Sequence, residues 1–289
     1  GTCDNCYNTS IISAIQNQAG GIVGIIPNHG EGGTIVNCFN TGNVSGVNYV
    51  GGIVGKSIGV LDSCYNYANI VGQDGVGGIV GHVNSGIVSN CVNNGLVVGN
   101  SSVGGVIGQI DVGTVINICN MGKIGTFDGR HVGGIVGDCI EGVIINSSNF
   151  AQTCGLAYVG GIVGYLESGL YNCFNVANVR AGDEINGVTY NGNAVAGGVC
   201  GRAGKLDYIY NFGNISAYGA YVGALVGSLP GGGTCENGFN MGTANATMEG
   251  VTITKPNTQI DTDISNLSVT VNGNTYTTLL DALNAWVDA

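Results

Sequence analysis

The chain is poor in charge, in proline and in helix-forming residues, and each shortage closes off a class of protein. Charged residues make up 9% of its 289 positions, there are 3 prolines and one tryptophan, and Lys plus Arg number 7. Without a basic stripe there is nothing to displace the counterions of a phosphate backbone, so nucleic acid is not an expected partner. A net charge of −11 disfavours anionic membranes as well. No run of about 18 apolar residues occurs, so direct membrane insertion is not expected. Ala, Leu, Glu and Lys are scarce beside Val, Ile, Gly and Asn, which excludes helical solenoids.

Catalytic and cofactor motifs are equally scarce. His29, His82 and His131 follow no ligand or triad spacing, and no HExxH, GxSxG or phosphate-loop phrase appears. The glycine blocks precede no helix, so they are not nucleotide loops. Cys3 and Cys6 form one CxxC with no second, so no zinc site is expected. The calcium-roll nonapeptide is absent too. Cofactor and metal are both expected to be none. Asp62, Asp207 and Glu236 share one column, and ordinary solvated carboxylates account for them better than a catalytic dyad does.

What is present is glycine, 55 residues of it, in a chain that is 44% apolar. There is no Gly-X-Y period, and the apolar content is too high for a disordered linker. The glycines belong to a Gly-Gly-aliphatic-aliphatic-Gly block that recurs with small changes. Its first glycines are Gly20, Gly51, Gly77, Gly104, Gly133, Gly160, Gly197 and Gly223. Most intervals are 26 to 31 residues, and one is 37. A propeller blade needs about 40–45 residues. Three short strands and three turns fit the shorter period, so the chain reads as an all-β, three-sided parallel β-helix of about nine coils. At about 4.8 Å per coil, the rod is on the order of 40 Å long.

Aligned coils yield files of like residues. Asn8, Asn40, Asn66, Asn93, Asn120, Asn149, Asn175, Asn211 and Asn240 form one without a gap. Stacked amides can donate to one neighbour and accept from the other, so this file is expected to be a structural ladder. Three residues earlier runs Asn5, Asn37, Ser63, Asn90, Asn117, Asn146, Asn172, Tyr208 and Asn237. The columns at Ile35 and Cys38 are both apolar, although residues three apart face opposite sides of a strand. A bend at the Asn37 column resolves the conflict. Cys6, Cys38, Cys64, Cys91 and Cys173 share a column with Ile118 and Ile209, which marks them as small buried thiols rather than disulfide partners.

The blocks Gly20-Gly21-Ile22-Val23-Gly24 and Gly51-Gly52-Ile53-Val54-Gly55 and their successors each precede a Cys/aromatic/Asn-x-Gly phrase. Together they resemble the GLUG motif repeat over roughly residues 1–245. That resemblance implies a bacterial secreted or surface-anchored protein, such as an adhesin or the non-catalytic repeats of some immunoglobulin A peptidases. It supplies no catalytic residue. The implied function is a non-enzymatic stalk or adhesin segment in a longer parent chain. A host or matrix glycan or protein is the expected partner, alongside the parent's other domains. A carbohydrate-active β-helix is the alternative, and ice binding ranks last because no exposed Thr-x-Thr file exists.

Binding residues are expected on insertions. From the ladder asparagine to the next glycine block most coils use 11 or 12 residues; Asn120 to Gly133 uses 13 and Asn175 to Gly197 uses 22. Both insertions leave one corner two coils apart. The first carries Phe127, Asp128, Arg130 and His131; the second carries Arg180, Asp183, Glu184 and Tyr190. The 126–131 and 180–193 loops are expected to lie together as a ligand-binding site. After Gly242 the pattern fades, and the repeat region is bounded at 1–250. In 251–289 a last strand at 251–254, a hairpin about Asn272-Gly273 and a helix at 278–287 are expected, the helix capping the open sheet edge or, as the alternative, opening a following module.

Overall fold

A computed structural model describes residues 1–27, 32–125, 129–182, 194–218 and 221–248. It also gives the backbone of strands at 184–185, 188–189, 251–255, 269–271 and 274–276. The described residues form parallel sheets and no helix. One turn shows the plan: Phe39–Asn40, Val44–Ser45 on a second face, Asn48–Gly51 on a third, then the long strand Val54–Asp62. Each strand pairs in parallel with its equivalent one turn on, as in Leu61 with Val88, Ile70 with Val97 and Gly77 with Gly104. The third face counts eight strands, so the solenoid makes about eight turns. Nine asparagines bound eight intervals, which is why counting ladder residues overstates the number of turns by one.

The bend expected at the Asn37 column is a left-handed residue in every turn. Asn5, Asn37, Ser63, Asn90, Asn117, Asn146, Asn172, Tyr208 and Asn237 all have φ between 45° and 56°. Asparagine tolerates this region better than other L-residues, which explains its choice. The reversal lets Leu61 and Cys64 both point inward, each fully buried. A second left-handed file runs through Gln18, Tyr49, Gly75, Ser102, His131 and Tyr158 on the third face. Nothing in their side chains announces it.

The interior contains two large apolar clusters. One holds Ile53, Val54, Leu61, Cys64 and their equivalents; the other holds Val44, Val50, Ile70, Val76 and theirs. From Asn40 to Asn240 the asparagine file is buried with them. Each Nδ2 donates to Oδ1 of the next asparagine at 2.7–3.0 Å, from Asn8 through Asn240 without a break. Its other N–H goes to the carbonyl two residues on, as from Asn120 to Gly122 at 2.9 Å. The Gly122 amide donates back to Asn120 Oδ1 at 3.2 Å. In seven of the eight blocks the second residue is a glycine that leaves room for this ladder, Ala224 being the exception: a Cβ on Gly105 would stand 2.5 Å from Asn120 Cγ and 2.2 Å from the Gly134 carbonyl oxygen.

At the far end Ala244–Met248 pairs with Val251–Lys255 antiparallel, so the second face closes on a strand of opposite direction. The strands Val269–Val271 and Asn274–Tyr276 pair antiparallel, as the Asn-Gly turn predicts. The helix expected at 278–287 lies outside the described residues.

Candidate functional site

Outward side chains accumulate on the edge between the third and long faces. The residue that follows each glycine block starts the long face pointing out. This file reads Ile25, Lys56, His82, Gln109, Asp138, Tyr165, Arg202 and Ser228, each in register with the next. Seven residues earlier lie the left-handed positions, whose side chains swing over the same edge. The two files interleave into a ridge of rings and charges.

Its densest part centres on His131. The imidazole Nδ1 lies 2.9 Å from Asp138 Oδ2. The ring stacks on Tyr165 at 4.6 Å between centroids, 21° from parallel, and meets Tyr158 edge-on at 5.6 Å. The two tyrosines are perpendicular at 5.8 Å. Arg202 lies over the Tyr165 ring with its guanidinium carbon 4.6 Å from the centroid, and one of its N–H groups donates to the Tyr165 hydroxyl. That hydroxyl donates to Glu167 Oε1 at 2.8 Å. Burial, then the bond to Glu167, raises the Tyr165 phenol above its ordinary pKa, so it stays protonated. Asp138 Oδ1 is buried with no hydrogen-bond partner.

Further toward the N-terminus Tyr49 packs on His82 at 4.7 Å, with Lys56 Nζ 5.4 Å from the Tyr49 centroid. His82 is buried, and its Nε2 lies 3.0 Å from Asp111 Oδ2 without hydrogen-bond alignment. Asn84 and Gln109 donate to the same carboxylate at 3.0 and 3.1 Å. Burial is the largest influence on the His82 imidazole and holds it below the ordinary histidine pKa, with Asp111 opposing.

The insertion residues fare differently. Phe127, Asp128, Asp183 and Tyr190 lie outside the described residues, and Glu184 is placed only as backbone in an antiparallel pair with Thr189. The bases of the insertions do share a corner: strands Ile124–Gly125 and Val179–Ala181 sit two rungs apart on the second face. Arg130 opens a third-face strand and is exposed; Arg180 is exposed on the second face. Of these eight residues, His131 is the one the described contacts bring into the ridge, against Asp138, Tyr158 and Tyr165, none of which is on either insertion. The signal for them was available. Beside constant glycines, one position ran through Ile, Lys, His, Gln, Asp, Tyr, Arg and Ser.

The carboxylate column turns out to be a hydrogen-bonded row. Ser89, Asn90 and Ser63 donate to Asp62 at 2.6, 2.7 and 2.9 Å, and the Ser89 bond leads in holding Asp62 below its usual pKa. Asp207 and Glu236 are register partners on adjacent turns, and Asn237 donates to Asp207 at 2.8 Å. None of the eleven cysteines forms a disulfide, and six of them are buried.

No family model, no curated protein and no solved structure matches the chain.

Proposed function

We propose that this chain is a non-catalytic module of a bacterial secreted or cell-surface protein, an adhesin or stalk segment of the GLUG-repeat type, whose outward ridge binds a host or matrix glycan. The observation that carries the reading is the His131–Tyr158–Tyr165–Arg202 cluster on a scaffold held rung to rung by an unbroken amide ladder. Tyrosine and imidazole faces suit the C–H faces of sugar rings. The Arg202 guanidinium suits sugar hydroxyls. Rigid strands hold these groups in place, so little side-chain freedom is lost on binding.

The test is a glycan and host-matrix array probed with the wild type and with Tyr165→Gln and Arg202→Gln. Glutamine already stands in this file at position 109, so both variants keep the fold. Binding to one glycan class that falls at least about tenfold in the variants supports the reading. Binding confined to proteins would replace the ligand class. The rival reading is a polysaccharide hydrolase or lyase, drawn from the Asp207 and Glu236 pairing. Release of reducing ends from a polysaccharide panel, lost in Glu236→Gln, would put that enzyme in place of the adhesin.

A further inference from the structure

The first turn gathers a group of side chains that the ridge does not use. Cys3 lies on the strand Thr2–Asp4, and Cys6 follows the left-handed Asn5, whose φ of 52° turns both thiols to one side. The next turn brings Cys38 beneath them. The three Sγ atoms lie within 4.8 Å of one another, and those of Cys3 and Cys6 are 3.2 Å apart. Among the described residues no other three His, Cys, Asp or Glu side chains converge in this way. Cys38 is fully buried, while Cys3 and Cys6 are half-buried and open toward solvent.

Packing alone does not require thiols here. Cys38 sits in the file where Ile118 and Ile209 serve, and Cys3 pairs with Ile35 in a file that continues as Leu61, Val88, Val115, Ile144, Leu170 and Leu206. Cys235 ends the same file at the other end without forming a trio. The thiols' present partners are weak. Besides the Cys3–Cys6 contact they reach carbonyls, Cys6 to Asp4 at 3.5 Å and Cys38 to Val36 at 3.1 Å.

We propose that Cys3, Cys6 and Cys38 form a three-thiolate site for a soft divalent cation of the zinc class. Zn–S bonds of about 2.3 Å in a tetrahedron set sulfurs about 3.8 Å apart, so the sulfurs move by about 1 Å or less on binding. Binding forms three metal–sulfur bonds and releases three thiol protons to solvent, with no electron transferred. Water completes the fourth position from the half-open side. CxxC spacing supplies two ligands, and only the stacking of turns supplies the third. The cation ties the first turn to the second, where the ladder has its outermost rung.

The test titrates the full chain, reduced and kept free of oxygen, with Co2+ and then Zn2+. The expected result is a near-ultraviolet thiolate-to-cobalt band that saturates at one ion per chain and is bleached by Zn2+. Cys3→Ile and Cys38→Ile insert residues their files already carry, so they keep the fold, verified by circular dichroism; each weakens binding at least about tenfold. Cys91→Ile leaves the band intact. No saturable band in the wild type, or an undiminished band in Cys3→Ile and Cys38→Ile, overturns the proposal. So does quantitative formation of a Cys3–Cys6 disulfide in air despite stoichiometric Zn2+, because the thiolates would then prefer oxidation to the metal.

Discussion

Removing the middle rung of the amide ladder tests what holds the solenoid together. Asn120 is fully buried and makes four hydrogen bonds: to the Gly122 carbonyl, to Asn149 Oδ1, from the Gly122 amide and from Asn93 Nδ2. In Asn120→Ala some partners keep an alternative. The Gly122 amide still reaches the Asn93 carbonyl at 3.1 Å, and Asn149 Oδ1 still accepts from Ala151. One Asn93 N–H and the Gly122 carbonyl lose the bond that Asn120 gave them. At about 1–3 kcal/mol for each stranded group, plus a small cavity, the loss is about 3–6 kcal/mol. Asn8 is the contrast, because it is half-buried at the end of the file and water can replace its bonds. Asn8→Ala should therefore lose about 1 kcal/mol or less. Urea unfolding followed by circular dichroism measures both. Asn120→Asp sharpens the test without a cavity. It turns two donors into acceptors facing the Gly122 carbonyl and Asn149 Oδ1, so the folded state favours the protonated acid. The folded pKa is then raised, and stability is greatest at low pH and falls as pH rises through it. An Asn120→Ala loss no larger than that of Asn8→Ala, or an Asn120→Asp variant equally stable at about pH 4 and about pH 8, would refute the ladder as the main polar support.

Three further outcomes are expected. The depressed His82 pKa means the unfolded chain takes up a proton first as pH falls, so stability present above about pH 6.5 declines below it. In His82→Gln the fall in Tm between about pH 7 and about pH 5 should be shallower, and an unchanged slope would remove His82 as its source. Tyr208 is a bulky residue at a left-handed position where most turns use asparagine. Tyr208→Asn should add about 1 kcal/mol in the same unfolding assay, and a loss would show the ring contributes more than its backbone strain. Burial pushes the thiols of Cys38 and Cys173 up to about 12, and those of Cys119 and Cys139 to about 11. A thiol reagent at neutral pH should label the buried Cys139 and Cys173 only as the chain unfolds, and rapid labelling of Cys173 in the native state would contradict its buried place.

Much of the fold follows from the sequence because stacking forces like onto like. The asparagine file, the Ile35 file and the bend at Asn37 each came from spacing and parity, since a parallel coil leaves a column no freedom to wander. The coil at Ile124–Val179 shows the same rule in an exception. Thr153 takes the missing aliphatic place, and Asn149 Nδ2 lies 3.4 Å from its hydroxyl. The site was less legible. Insertion lengths pointed to the corner between the second and third faces. His131 instead faces the neighbouring edge, because its backbone is left-handed and a side chain there is thrown across to Asp138 and Tyr165. Backbone handedness at Tyr49, His131 or Tyr158 is imposed by the turn, not by the residue.

Period and composition, then, determined the parallel three-sided stack, its ladder and its apolar files, since these depend on which residues recur and how far apart. Only the tertiary structure decided which outward side chains meet. It placed Tyr165 on His131, Arg202 on Tyr165 and Cys38 beside Cys3 and Cys6. Those contacts join residues a full turn or more apart, or across a corner, and their distances depend on the path the backbone takes between them.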